Sequence, residues 1–111
     1  MAHVTTHNNY WNLIRTAMSD VIKFGTGRKV KSNLFDLAGK TGTAQLIKNS
    51  GKDQGYAKHL LDHSWFIGFT PVEKPNLTIT VLLEHENGAV LVAKSILDDY
   101  YQSMQTSVLS D

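Results

Sequence analysis

Leu37-Ala38-Gly39-Lys40-Thr41-Gly42-Thr43-Ala44-Gln45 is the stretch on which the reading of this chain turns. Its residues predict one extended strand, and in a strand successive side chains alternate between faces. Thr41 and Thr43 then share one face, while Lys40 and Ala44 share the other. Gly42 has no side chain, so a ligand can lie close against the backbone there. A cation, two hydroxyls and an accessible backbone edge suit an extended substrate that ends in a carboxylate.

The same letters admit a rival. Gly39-Lys40-Thr41 has the ending of a phosphate-binding loop, G-x-x-x-x-G-K-[ST]. That pattern demands glycine at position 34, where this chain has Leu34. Without it the loop cannot curl its amides around a phosphate. The apolar run from Leu77 to Glu84, which ends in an acid as a metal-coordinating strand would, does not repair the defect. A polar surface strand is the plain alternative for a bare K-T-G tripeptide.

Outward from this strand, expected over Asp36 to Ile47, the chain alternates helix and sheet signals. Trp11, Ile14, Met18, Val21 and Ile22 recur at helical spacing and predict a helix from Asn9 to Phe24, capped by Asn8 or Asn9. Gly25 and Gly27 are expected to stop it by taking the left-handed conformation. Arg28 to Ser32 reads as a polar crossing. Lys48 to Gly55 is turn-rich, and a short helical turn is expected from Tyr56 to Leu61. Ser64 to Thr70 reads as the second strand, ended by Pro71, and Leu77 to His85 as the third. Their short link favours antiparallel neighbours.

Both faces of these strands are apolar. Trp65, Ile67 and Phe69 oppose Phe66, while Leu77, Ile79, Val81 and Leu83 oppose Thr78, Thr80 and Leu82. Such a sheet wants cover on both sides. A closing helix from Ala89 to Met104 is expected to supply some through Val92, Ala93, Ile96, Leu97, Tyr100 and Met104. The fold class is therefore α+β, a three-stranded antiparallel sheet flanked by N- and C-terminal helices. Residues 1–8 are expected to be a disordered N-terminus, with Met1-Ala2-His3 an expression remnant. Residues 105–111 are expected to be a disordered tail.

Composition narrows the function classes. A net charge of +1, with no run of like charges, gives no footprint for nucleic acid. Cysteine is absent, so there is neither a disulfide framework nor a thiol nucleophile. No apolar run approaches the roughly eighteen residues of a membrane span, and the N-terminus lacks a signal-peptide core; the chain is expected to be soluble. Of the scattered His3, His7, His59, His63 and His85, only His59 and His63 stand four apart. Leu60 replaces the glutamate that H-E-x-x-H needs. No metal site and no cofactor are expected, and His63 is expected to set the entry to the second strand. Asp98 and Asp99 face different ways on a helix and read as a solvated face. Tyr100 and Tyr101 read as core and rim, and Trp65 and Phe66 as packing anchors.

One order of motifs is more specific. Lys40-Thr41-Gly42-Thr43-Ala44-Gln45 is followed by Asp62-His63-Ser64-Trp65-Phe66-Ile67-Gly68-Phe69-Thr70-Pro71, then by the apolar strand and the amphipathic helix. From Tyr10 to Met104 this order resembles the C-terminal part of the transpeptidase domain of class B penicillin-binding proteins, most of all the elongation-type penicillin-binding protein 2. The resemblance implies the penicillin-binding/β-lactamase-like transpeptidase fold, with its third, fourth and fifth strands here. It implies that Lys40 supplies positive potential and helps proton transfer around a serine. Thr41 and Thr43 would contact the terminal carboxylate of a donor peptide or β-lactam, and Gly42 would admit its backbone. The backbone N–H of Thr43 would be one of two oxyanion-hole donors.

The family's other motifs, S-x-x-K and S-x-N, do not occur in this sequence. No serine has a lysine three residues on, and Ser32-Asn33 are adjacent. The resemblance thus implies a piece of a D,D-transpeptidase, inactive alone because its nucleophile is elsewhere. The implied partners are the peptidoglycan stem peptide, β-lactams and the rest of the transpeptidase domain. The implied location of the parent is the periplasmic face of the bacterial inner membrane. In the family the fifth strand pairs with the first, so the strand 77–85 would here expose a bare edge, and a homodimer through it is expected. A non-catalytic module that binds peptide termini and a structural or interaction domain are the alternatives.

Overall fold

The periodicities resolve into helix α1 (Asn8–Lys23), a 3-10 turn (Arg28–Val30), strands β1 (Ala38–Ala44), β2 (His63–Thr70) and β3 (Leu77–Leu83), and helix α2 (Ala89–Ser110). The computed structural model describes residues 3–44 and 62–110. The expected loop from Lys48 to Gly55, the turn from Tyr56 to Leu61 and the end of the first strand past Ala44 lie outside the described residues. The sheet is antiparallel in the order β1-β2-β3. Among the described residues β1 and β3 are therefore both edges, and β2 alone has two neighbours.

Register settles which side chains share a face. Thr41 stands opposite Phe66, which stands opposite Val81, and Thr43, Ser64 and Leu83 form the next row. On this face Phe66 is fully buried and packs in one cluster with Val81, Ile22, Val30 and Leu37, together with Ala89, Ala93 and Leu97 of α2. The contact stripe of α2 thus runs through residues four apart, continued by the half-buried Tyr101. Ala89 and Ala93 are small enough to let the helix backbone sit close to the sheet. Of the stripe expected, Val92, Ala93 and Leu97 lie in or against this cluster, whereas Ile96, Tyr100 and Met104 lie one position away, about 100° around the helix. Those residues are 50%, 45% and 48% exposed.

The opposite face carries Lys40 and Gly42 of β1, Trp65, Ile67 and Phe69 of β2, and Thr78, Thr80 and Leu82 of β3. Trp65, Ile67 and Leu82 are 42%, 53% and 44% exposed, so Trp65 is not the packing anchor that Phe66 is. Helix α1 runs along β1 but buries only Ser19 and Ile22. Its Trp11, Ile14 and Met18 instead line an open groove of about 320 Å³ with Phe69, Pro75 and Thr78.

The ends of the elements differ from expectation for local reasons. His7 is the N-cap of α1, in extended backbone and without a side-chain cap bond. Its carbonyl takes the N–H groups of Tyr10 and Trp11, so Asn8 and Asn9 are already inside the helix and cap nothing. Gly25 and Gly27 do not take the left-handed conformation; among the described glycines only Gly88 does, at φ 109°. They are required by closeness instead. A Cβ at Gly25 would sit 3.1 Å from Val21 Cα, and one at Gly27 would sit 2.8 Å from Ile22 Cδ1. Strand β3 stops at Leu83 because His85 turns at φ 54° into α2. Helix α2 continues past Met104 to Ser110, through the segment expected as a tail.

Candidate active site

Four residues of β1 stand on a strand that is a sheet edge among the described residues. Lys40 is exposed opposite Ile67, and its Nζ donates to the Thr41 carbonyl at 2.6 Å. Gly42 is exposed opposite Trp65, whose Cβ, 3.7 Å from where a glycine Cβ would lie, is the nearest obstacle. Thr43 is exposed opposite Ser64. Thr41 is half-buried, and its hydroxyl lies 2.7 Å from the hydroxyl of Thr26. Lys40 and Gly42 thus occupy one face and Thr41 and Thr43 the other, as strand alternation requires. Cation, hydroxyls and accessible backbone converge along the edge where an extended chain can add as a further strand.

The two glycines of Gly39-Lys40-Thr41-Gly42 do opposite things. A Cβ at Gly39 would meet Phe66 Cζ at 2.6 Å and the Ile67 carbonyl at 2.9 Å. That glycine exists so that β1 can lie against the Phe66 ring. Gly42 has free space beside it, so its bareness serves the solvent side.

Other residues hold the strand in place. Thr70, almost fully buried, donates its hydroxyl to the Asp36 carbonyl at 2.5 Å, and the Val72 N–H donates to the Asp36 carboxylate at 3.2 Å. Asp36 therefore ties the foot of β1 to the turn after β2. At the other end, His63 Nδ1 accepts the His85 N–H at 2.9 Å, and the Ser64 hydroxyl accepts the Ala89 N–H at 3.3 Å. His63 does set the entry to β2, and with Ser64 it also docks the start of α2.

Three features were not visible in the sequence. Thr26, to which the sequence reading gives no role, touches Thr41; the signal was a threonine held between two glycines at the end of an amphipathic helix. Asp98 is only partly solvated: one oxygen accepts from Lys94 Nζ at 2.8 Å, and the other is buried with no hydrogen-bond partner among the described residues. Tyr101 stacks on Phe35 with ring centroids 5.4 Å apart and packs against the core, while Tyr100 is exposed, the reverse of the core and rim expected. His59 lies outside the described residues. Among the described residues, no helix is long and apolar enough to cross a membrane.

Comparison with known proteins places this arrangement. The model of the penicillin binding protein transpeptidase domain matches residues 2–102. The chain is 41% identical over 96 residues to the peptidoglycan D,D-transpeptidase MrdA of Acinetobacter baumannii, covering 79% of this chain and 14% of that protein. It is 34% identical over 101 residues to MrdA of Haemophilus influenzae, covering 81% of this chain and 16% of that one. The crystal structure of the D,D-transpeptidase domain of a peptidoglycan glycosyltransferase from Eggerthella lenta matches with a TM-score of 0.59 at 28% identity. That match covers 81% of this chain and 19% of the solved one. The chain therefore spans only a small part of the relatives it matches, and that part holds Thr26 and the Lys40–Thr43 strand. By sequence and by fold, the chain belongs to the penicillin-binding protein transpeptidase domain family.

Proposed function

We propose that this chain forms one wall of the active site of a peptidoglycan D,D-transpeptidase, with Lys40, Thr41, Gly42 and Thr43 as the substrate-binding strand. The observation that carries the reading is the K-T-G-T segment on β1, an edge strand among the described residues, with its cation and hydroxyls already disposed. The Thr41 and Thr43 hydroxyls receive the C-terminal carboxylate of a stem peptide ending in D-Ala-D-Ala, or the matching carboxylate of a β-lactam. Charge-assisted hydrogen bonds of this kind are the stronger ones. The Thr43 N–H donates to the developing oxyanion, and Lys40 lowers the cost of negative charge nearby.

The nucleophile belongs to an S-x-x-K segment outside this sequence. Its serine attacks the carbonyl between the two D-alanines, that C–N bond breaks, and the terminal D-alanine leaves as its amine takes a proton. The acyl group then passes to the amine of a neighbouring peptide. The apolar face that bears Lys40, Trp65 and Ile67 is where the rest of the domain docks, and the parent works at the periplasmic face of the inner membrane. In the isolated chain the edge of β3, which carries no charge and no proline, pairs with a second copy. Sedimentation at rising concentration is expected to show a dimer, and a monomer throughout would refute that pairing.

The direct test is intact-mass spectrometry after incubation with a β-lactam, on this chain and on a longer protein that carries S-x-x-K. An adduct on the longer protein alone is expected. A stable adduct on this chain would overturn the placement of the nucleophile. Absence of an adduct on either would favour a non-catalytic peptide-binding module.

A further inference from the structure

We infer that Thr26 is a positioning residue of this site, its hydroxyl donating to Thr41 so that the Thr41 O–H is aimed at the substrate carboxylate. The inference rests on the binding role proposed for Thr41. Each hydroxyl has one proton and two lone pairs. The two oxygens are 2.7 Å apart, a good O–H···O separation, so one proton lies between them. A carboxylate offers only acceptors, so Thr41 must give its own proton to the ligand. The proton between the threonines is then that of Thr26. A hydroxyl that accepts one hydrogen bond is polarised to donate another more strongly. Thr26 would thus both orient and strengthen the Thr41 donor.

The backbone, not side-chain packing, holds Thr26 in place. The N–H groups of Gly25 and Gly27 both donate to the Val21 carbonyl, at 3.1 Å and 3.0 Å. Arg28 closes on the Gly25 carbonyl through its N–H at 3.1 Å and its guanidinium at 3.4 Å, and the Val30 N–H takes the Gly27 carbonyl at 3.0 Å. A Cβ on either flanking glycine would crowd Val21 or Ile22. Thr26 itself is exposed, so its hydroxyl can be removed with little effect on the core.

The experiment compares wild type, Thr26→Val and Thr26→Ser in the transpeptidase that contains this chain. The readout is the second-order rate of acylation by a β-lactam and by its neutral methyl ester. For the free acid, Thr26→Val is expected to be slower by about tenfold or more, the scale of one hydrogen bond to a charged group. For the ester it is expected to match wild type within about twofold, and Thr26→Ser is expected to restore the free-acid rate. Equal loss on acid and ester, or failure of serine to rescue, overturns the inference. If wild type is not acylated at all, the active-site reading fails instead, and a binding assay on this chain still tests Thr26. There, NMR titration with a peptide ending in D-Ala-D-Ala is expected to perturb the Thr41 amide more than the C-terminal amide of the same peptide does, and Thr26→Val is expected to erase that preference. No preference in wild type, or its persistence in the variant, overturns the inference.

Discussion

The two faces of the sheet are made from the same kinds of residue and have different fates. Phe66 and Val81 lie under α2 with Ala93 and Leu97 and define the core. Trp65, Ile67 and Leu82, their immediate neighbours in sequence, remain substantially open among the described residues. The open face is also the one that carries Lys40. Burial here separates two tasks: the covered face makes the fold, and the open face presents a cation and an apolar surface, which on the proposed function meet the rest of a larger active site.

The largest test of this contrast is truncation on each face. Phe66→Ala is expected to destabilise the chain by about 3–5 kcal/mol, because the ring is removed from a closed core. Ile67→Thr is expected to change stability by no more than about 0.5 kcal/mol, because its side chain is already half in water. Urea unfolding of both variants checks this, and comparable losses would mean that the open face is covered after all. A sharper and smaller test uses the two glycines of β1. Gly39→Ala drives a methyl group into Phe66 and is expected to cost about 1–3 kcal/mol. Gly42→Ala makes only an ordinary contact with Trp65 Cβ at 3.7 Å and is expected to stay within about 0.5 kcal/mol in the same unfolding assay. Its effect should appear instead in β-lactam acylation of the longer protein.

Much of this was legible in the sequence because strand alternation is rigid. Once Lys40-Thr41-Gly42-Thr43 was read as extended, the separation of Lys40 from Thr41 and Thr43 followed, and register bears it out. The pairing of Trp65 with Ile67 on the face opposite Phe66 followed in the same way. The α2 contact stripe was legible in part: Val92, Ala93 and Leu97 lie in or against the core as read, whereas Ile96, Tyr100 and Met104 do not. Ala89 looks weakly hydrophobic, whereas Ile96 and Met104 look like anchors; contact favoured the small residue because it allows close approach. The glycines at the end of α1 were read as conformational devices, yet close packing against Val21 and Ile22 is what requires them. The Thr26–Thr41 contact joins residues fifteen apart, across a helix end and a turn whose path no periodicity dictates.

His63 and Ser64 have a consequence for folding fidelity. A strand that is apolar on both faces loses little by slipping one residue, since either set of side chains can enter the core. β2 carries Phe66 on its covered face and Trp65, Ile67 and Phe69 on the other, so hydrophobicity alone does not proofread its alignment. Its first two residues do: each accepts one N–H from the link into α2, His63 from His85 and Ser64 from Ala89. A one-residue slip would misalign both acceptors at once and leave two donors stranded at the start of the last helix. The paired acceptors act as a checksum on the register of the sheet, and so on where Lys40 and Thr41 come to stand.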